Sequence, residues 1–411
     1  MSTKNDKPRA PRFLWQAGLT AAALTLLAGT VAPAAATAAP SGHNRPELQA
    51  ILQEGVDGGL TGVQARVRNE RGEWAGSAGV RELGSAAAPS TNGRFRVGSV
   101  TKTFIATMTL RLVAQGKVGL DDPVADQLPE FGLDRRITTR MLLQHTSGVF
   151  NFTGDFDAEG KWVPGIVSAG KDWVDNRFTT YEPQELVRFA LAKGPRFEPG
   201  ADWRYANTNY VLARLLIERV TGHTFAEELE RQILRPLGMH ATTAPGFSAQ
   251  ITGPHAHAYY QYDDNGTLRT ADVTLQNPSW ISGGGDMIST TQDLQTFFSA
   301  LMGGKLLPAP LLVEMRTPNP VAGYGLGLWT TPFPFPAPSC GAPIVHHNGS
   351  VQGYATLMYA SPDGSKTLTA SMTYVDGVGA ETKAAAFMTA TQKLLNETFC
   401  AGRAEAAQPT R

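Results

Sequence analysis

Apolar residues change their spacing twice along this chain, and the changes mark out its architecture. A helix is expected over 46–55. Val63, Ala65 and Val67 then alternate with Gln64, Arg66 and Arg68, the two-residue period of a half-buried strand. A turn over 69–72 and a second strand over 73–80 complete a hairpin. From Ser99 the period lengthens: Phe104, Ile105, Met108 and Leu112 share one helical face, with Gly116 as the stop. Helical spacing recurs over 183–193, 209–221, 225–234 and 291–302. Strand patterning returns over 343–347, 354–360 and 367–374, the last two joined across Pro362, Asp363 and Gly364. A closing helix is expected over 382–399.

Strands at both ends of the chain with helices between them predict an α+β fold. One antiparallel sheet is assembled from the two termini and covered by helices, with a mostly helical region inserted in the middle. The expected sheet region is 46–90 plus 320–400, the helical region is 91–319, and together they form a single unit over 39–400. Nothing repeats at a fixed period. The run Pro332 to Pro338 reads as a short surface connection and residues 401–411 as a disordered tail.

Composition narrows the function classes. The 411 residues carry 36 basic and 36 acidic side chains and are 42% hydrophobic, too apolar for a disordered chain and ample for a sizeable core. With no basic tract to neutralise a run of phosphates, nucleic acid is not an expected partner. Charge is uneven only at the start, where Lys4, Lys7, Arg9 and Arg12 face Asp6 and no charge follows from Phe13 to Ala39. An apolar centre at Leu19 to Leu27 and small residues from Ala34 to Ala38 complete the pattern of a cleaved export signal over 1–38. The uncharged stretch is long enough to span a bilayer, but Pro33 and the Ala-rich second half favour cleavage. Its removal leaves 32 basic against 35 acidic residues, a net charge of −3. A secreted chain with no stable membrane span is therefore expected. In an oxidising compartment Cys340 and Cys400, the two cysteines, are expected to pair, a link worth ~4 kcal/mol in the chain-entropy view.

Two cysteines cannot build a four-thiolate zinc site. The signatures Gly-x-Ser-x-Gly and His-Glu-x-x-His are absent from the sequence, and the one Gly-x-x-x-x-Gly-Lys match, Gly165 to Lys171, is followed by Asp172 where a phosphate loop needs Ser or Thr. What the chain offers is Ser99 and Lys102, three apart at the start of a predicted helix. At that spacing the side chains share a face, so a lysine amine kept neutral by burial can take the serine proton. At a helix N-terminus Ser99 also has backbone N–H groups that favour a developing oxyanion. Ser168 and Lys171 share the spacing but lie in a polar, Gly-containing stretch that gives no rigid platform. Tyr205 and Asn207 precede a helix; a phenol beside an ammonium can relay a proton, and a carboxamide can hold a substrate amide. His347 and Gly349 end a strand, and Ser350 can offer its backbone N–H to an oxyanion, with Gly349 allowing close approach. Ordinary structural readings stand beside these: a core aromatic for Tyr205, a helix cap for Asn207, a turn residue for Gly349.

Taken in this order, Ser99-x-x-Lys102, Tyr205-x-Asn207 and His347-x-Gly349 resemble the three motifs of the penicillin-recognising serine hydrolases. That superfamily holds D-alanyl-D-alanine carboxypeptidases, class C β-lactamases and related esterases and D-aminopeptidases. The likeness is strongest to the secreted actinomycete carboxypeptidases and runs through 95–102, 145–148, 205–209, 289–294 and 351–354; the placement of the two cysteines agrees with it. The resemblance implies a β-lactamase/transpeptidase-like fold and acyl transfer with neither cofactor nor metal. Ser99 would attack the carbonyl of a D-Ala-D-Ala peptide, with Lys102 and Tyr205 handling its proton and that of the leaving amine, either of them as the base. The N–H groups of Ser99 and Ser350 would form the oxyanion hole, Asn207 and Trp280 would border the substrate, and His347 would give a polar edge able to carry charge. The implied partners are peptidoglycan stem peptides or β-lactams, met outside the cell by a monomer. A class C-like β-lactamase, an esterase or a D-aminopeptidase would use the same scaffold. A non-catalytic β-lactam or peptidoglycan sensor would not need Ser99, Lys102 and Tyr205 as a set.

The chain departs from the carboxypeptidase pattern in one place that matters. After Tyr324 to Leu328 that pattern has an arginine holding the substrate's terminal carboxylate, whereas Trp329 stands here. Losing a bidentate cation removes the natural reader of a free C-terminus and leaves acyl transfer untouched. Asn348 also replaces the usual Thr of the third motif. His255, His257, His346 and His347 have no Asp, Glu or Cys at ligand spacing, so they are not expected to hold a metal. Gly283 to Gly285 reads as a tight backbone passage at a cleft wall.

Overall fold

The computed structural model describes residues 44–157, 159–330 and 336–401. The expected export signal, most of the Pro-rich run and the tail from 402 lie outside the described residues. Helix α1 (Pro46–Asp57) leads into a hairpin of β1 (Gly62–Asn69) and β2 (Gly72–Gly79). A 3-10 turn at Gly98–Val100 starts α2 (Thr101–Ala114), and α3 (Asn207–Thr221) and α4 (Thr291–Met302) follow in the helical middle. The chain then returns to the sheet through β3 (Val345–His346), β4 (Gly349–Val351), β5 (Tyr354–Ala360) and β6 (Thr367–Thr373), and closes with α5 (Glu381–Phe399).

The sheet order is β4-β5-β6-β1-β2, with β3 also on β5, and each pair is antiparallel. The two ends of the chain meet where β1 pairs with β6, Val63 opposite Met372 and Val67 opposite Leu368. The expected alternation has a direct cause. Val63, Ala65 and Val67 pack with Leu357, Leu368, Leu394 and Phe399 in a core beneath α1 and α5. β5 and β6 are buried at every residue because helices cover both faces. On the second face α4 lies across the sheet, with the Thr369 hydroxyl donating to Thr291 O at 2.8 Å.

The second core joins the sheet to the helical region, with Phe104 of α2 stacked on Phe297 of α4 at 3.7 Å between ring centres. Helix α2 is buried all round from Thr101 to Leu110, not on one face as its spacing predicted. Its threonines can sit inside because Thr103 donates to Gly327 O, Thr107 to Thr103 O and Thr109 to Ile105 O. The helix that follows Ser99 is therefore packed on every side over its first ten residues.

Other differences have local causes. The single helix expected over 225–234 ends at Leu229 and widens through Glu230–Leu234; Pro236 follows, with no N–H to continue a regular ladder. Two largely polar strands, Tyr259–Asp264 with Tyr259 and Tyr260 buried and the mostly exposed Thr267–Asp272, pair with each other, and Val375–Gly377 adds in parallel. Their sequence lacks an apolar alternation to find them by. Cys340 and Cys400 are bonded, tying the segment before β3 to the end of α5. Replacing both by serine is expected to lower the unfolding free energy by about 2–5 kcal/mol, read as a lower Tm that reductant reproduces in the unmodified protein. An unchanged Tm would remove the bond from the stabilising contacts.

Candidate active site

Strand Phe95–Arg96 pairs with Ile288–Ser289 and delivers the chain into the Ser99 turn. Two glycines set what happens next. Gly98 has φ +53, and a Cβ there would lie 2.6 Å from Ser350 N. A Cβ on Gly349 would lie 1.9 Å from Val97 O and 2.9 Å from Ser99 N. No side chain fits at either position, so the β4 backbone lies directly against the turn. Ser99 and Ser350, 251 positions apart in the sequence, consequently line the same cavity.

Lys102 Nζ lies 3.0 Å from Ser99 Oγ, 2.7 Å from Asn207 Oδ1 and 2.5 Å from Gly284 O. The residue has no exposed surface. Burial pushes its pKa well below the usual lysine value, only partly opposed by the charge of Asp286. Asp286 itself is committed elsewhere, to Arg214 at 3.0 Å and to the N–H of Gly283 at 3.2 Å. The three contacts accommodate the neutral amine that burial favours: its two N–H groups can go to the two carbonyl oxygens, leaving the lone pair for the serine hydroxyl. The Gly283 to Gly285 passage is thus part of the site, through the carbonyl of Gly284. Asn207, the first residue of α3, is held from behind, its Nδ2 on Thr153 Oγ1 at 3.1 Å and its N–H on Asn151 Oδ1 at 3.0 Å.

Tyr205 hydrogen-bonds to the Ser99 side chain, and burial drives its phenol pKa up; its ring centre is 4.9 Å from Lys102 Nζ. What holds Tyr205 is His145, a residue to which the motif reading gave no role. His145 caps its helix at φ +64. Its carbonyl accepts the N–H of Arg204 at 3.0 Å, and its Nδ1 accepts the N–H of Ala206 at 3.2 Å. The backbone is thereby clamped on both sides of Tyr205, and the two rings are 4.2 Å apart. Burial pushes the His145 pKa well down, which keeps Nδ1 an acceptor. A histidine in the left-handed region leaves no periodic trace in a sequence.

His347 is also buried and neutral. Burial pushes its pKa down to about 3, which favours the neutral ring at the polar edge of the cavity. With Nδ1 2.8 Å from Asn348 O, that nitrogen carries the hydrogen, and Nε2 accepts the Tyr324 hydroxyl at 2.9 Å. Trp280 packs edge-on against Trp173 and donates its indole N–H to Gln276 Oε1 at 3.0 Å, and it is not among the residues that line the cavity. Trp329 does reach the cavity wall. Lys171 pairs with Asp175 at the surface, and the Ser168 carbonyl accepts from Gln352, so the second Ser-x-x-Lys match forms no such cluster. His257 binds Asp272 at 2.6 Å and His255 binds Gly253 O. Among the described residues no group of His, Cys, Asp and Glu is arranged to hold a metal.

The cavity over Ser99 has a volume of about 570 Å³ and takes in Tyr205, His347, Gly349 and Ser350. A serine whose hydroxyl meets an uncharged lysine and a phenol, beside a strand-edge N–H, can form and release an ester. Comparison with known proteins agrees with that chemistry, for the family model described as Beta-lactamase matches residues 48–398. The chain belongs to the β-lactamase family. Its fold is the α+β arrangement of that family, and it is a serine hydrolase, in keeping with relatives named as esterase, amidohydrolase and penicillin-binding protein. Penicillin-binding protein 4* of Bacillus subtilis is 30% identical over 68% of this chain and 60% of its own length. Esterase EstB of Burkholderia gladioli is 36% identical over 35% of this chain and 37% of its own length. A D-stereospecific amidohydrolase from Streptomyces sp. superposes with a TM-score of 0.74 and 35% identity, covering 87% of this chain and 99% of that one. The chain spans 54% and 60% of the length of the two Bacillus subtilis relatives it matches.

A fluorescent penicillin is expected to label the protein once per chain at Ser99, and not at all in Ser99→Ala. In Lys102→Ala the labelling rate should fall by roughly 10²-fold or more. Peptide mapping that finds an adduct in Ser99→Ala would move the nucleophile elsewhere.

Proposed function

We propose that this protein is an exported acyl-enzyme hydrolase acting on amides or esters of D-amino acids, including short D-peptides, without needing a free carboxylate on the leaving side. Ser99 Oγ attacks the substrate carbonyl and its proton passes to Lys102 Nζ. Lys102 is the better base because its nitrogen lies 3.0 Å from the hydroxyl and burial favours its neutral form, while burial favours the protonated Tyr205 phenol. The oxyanion is held by the N–H groups of Ser99 and Ser350. Tyr205 hands its proton to the departing amine or alcohol and is reprotonated by Lys102, which holds the proton taken from Ser99. Water then enters by the same route to release the acid.

The observation that carries this reading is Trp329 in the cavity wall, with no arginine among the described residues that line it. An indole cannot form the paired hydrogen bonds a terminal carboxylate calls for. The Streptomyces relative, named for D-stereospecific amide hydrolysis, supports the D preference. Export is supported by the sequence of residues 1–38 and by the disulfide, which needs an oxidising compartment. Among the described residues no helix is long and apolar enough to cross a membrane.

A specific observation keeps D-alanyl-D-alanine carboxypeptidase activity on peptidoglycan stem peptides as the second reading: Lys383 lies at the cavity and could meet a carboxylate. The two readings separate on diacetyl-Lys-D-Ala-D-Ala and its C-terminal amide. The amide is expected to be cleaved at least as fast as the acid, measured as kcat/KM. A strong preference for the acid would overturn the proposal and assign the carboxylate to Lys383.

A further inference from the structure

The cavity does not stop at the reacting groups. In β4 the side chain of Ser350 faces away from the Ser99 turn, on the side of its cross-strand partner Ala355. The same cavity extends from Ser99 to the first turns of α5, where Leu60, Ala355, Ala384 and Phe387 line it. Ser350 is bonded there to the hydroxyl of Tyr374, whose pKa burial and Asp376 raise to about 12, so this stretch of wall presents a satisfied hydroxyl pair followed by hydrocarbon. The lip carries Asp376 and Glu381 against Lys383.

A cavity of about 570 Å³ is far larger than an amino-acid amide requires, and falls in the range that suits ligands with a ring or a branched chain. Its far end offers almost nothing to hydrogen-bond and much to bury, and it is continuous with Ser99. We infer that this apolar end is a subsite for a bulky apolar group of the acyl donor, an aromatic ring or branched aliphatic chain. The inference rests on the acyl-enzyme reading above and adds the substrate class to it. With two carboxylates to one ammonium at the lip, an uncharged or cationic neighbour of that group is preferred over an acidic one.

The test compares D-alanine amide with D-phenylalanine amide, which enlarges the acyl side, and with D-alanine benzylamide, which enlarges the leaving side. Each is measured as kcat/KM in the unmodified protein, in Ala384→Phe and in Ala384→Leu. Ala384 is exposed on α5, so a larger side chain there fills the cavity without displacing packed neighbours. The expected result is a preference for the bulky member in at least one arm, reduced roughly 10- to 100-fold in Ala384→Phe and less in Ala384→Leu. The arm that responds names the side of the scissile bond. No preference in either arm, or one that both variants leave unchanged, overturns the subsite while the hydrolase reading stands. Failure to cleave all three amides, with no adduct on Ser99 from any of them, would fail the acyl-enzyme reading and the subsite with it.

Discussion

A lysine taken wholly out of water with no carboxylate in contact cannot keep its proton cheaply. Lys102 is in that position. The described carboxylate that raises its pKa, Asp286, is bound to Arg214, and the atoms that touch Nζ are two carbonyl oxygens and a serine hydroxyl. Removing the charge turns the side chain into a base facing Ser99. Removing the burial would leave an ordinary surface ammonium and an inert hydroxyl, so the rest of the fold can be read as the means of keeping that pocket closed and in register.

Three independent parts of the chain supply the closure. Helix α2, buried all round, fixes Ser99 and Lys102 relative to each other. The start of α3 brings Asn207, and the His145 clamp sets Tyr205 over the same point. The backbone contact between the Gly98 turn and Gly349 brings in the strand edge with Ser350. Each depends on atoms that tolerate no enlargement, which is why so small a set of side chains can rest on glycines and a left-handed histidine.

Much of this was legible in the sequence, and the reasons are physical. Alternating Val63, Ala65 and Val67 marked a strand because one face of the sheet packs on helices. The Thr291–Met302 helix was found to the residue because its cap and its apolar face coincide. The pairing of Ser99 with Lys102, and their meeting with Tyr205, followed from helical spacing and from family likeness. What stayed hidden depends on contacts between remote segments. The Gly283 to Gly285 passage reads as a cleft wall in the sequence, but the contact of the Gly284 carbonyl with Lys102 is a backbone one and has no signature. The loss of charge on His347 follows from burial that no local pattern reports.

The neutral amine is the claim on which the chemistry stands, and it can be observed without any substrate. Protein carrying carbon-13 at the lysine ε position, with the Lys102 signal assigned by its absence in Lys102→Arg, allows that one side chain to be titrated by NMR. The account expects Lys102 to show the shift of an uncharged amine at neutral pH, while the surface lysines remain ammonium. A Lys102 signal that titrates with them near the ordinary value of 10.5 would contradict it.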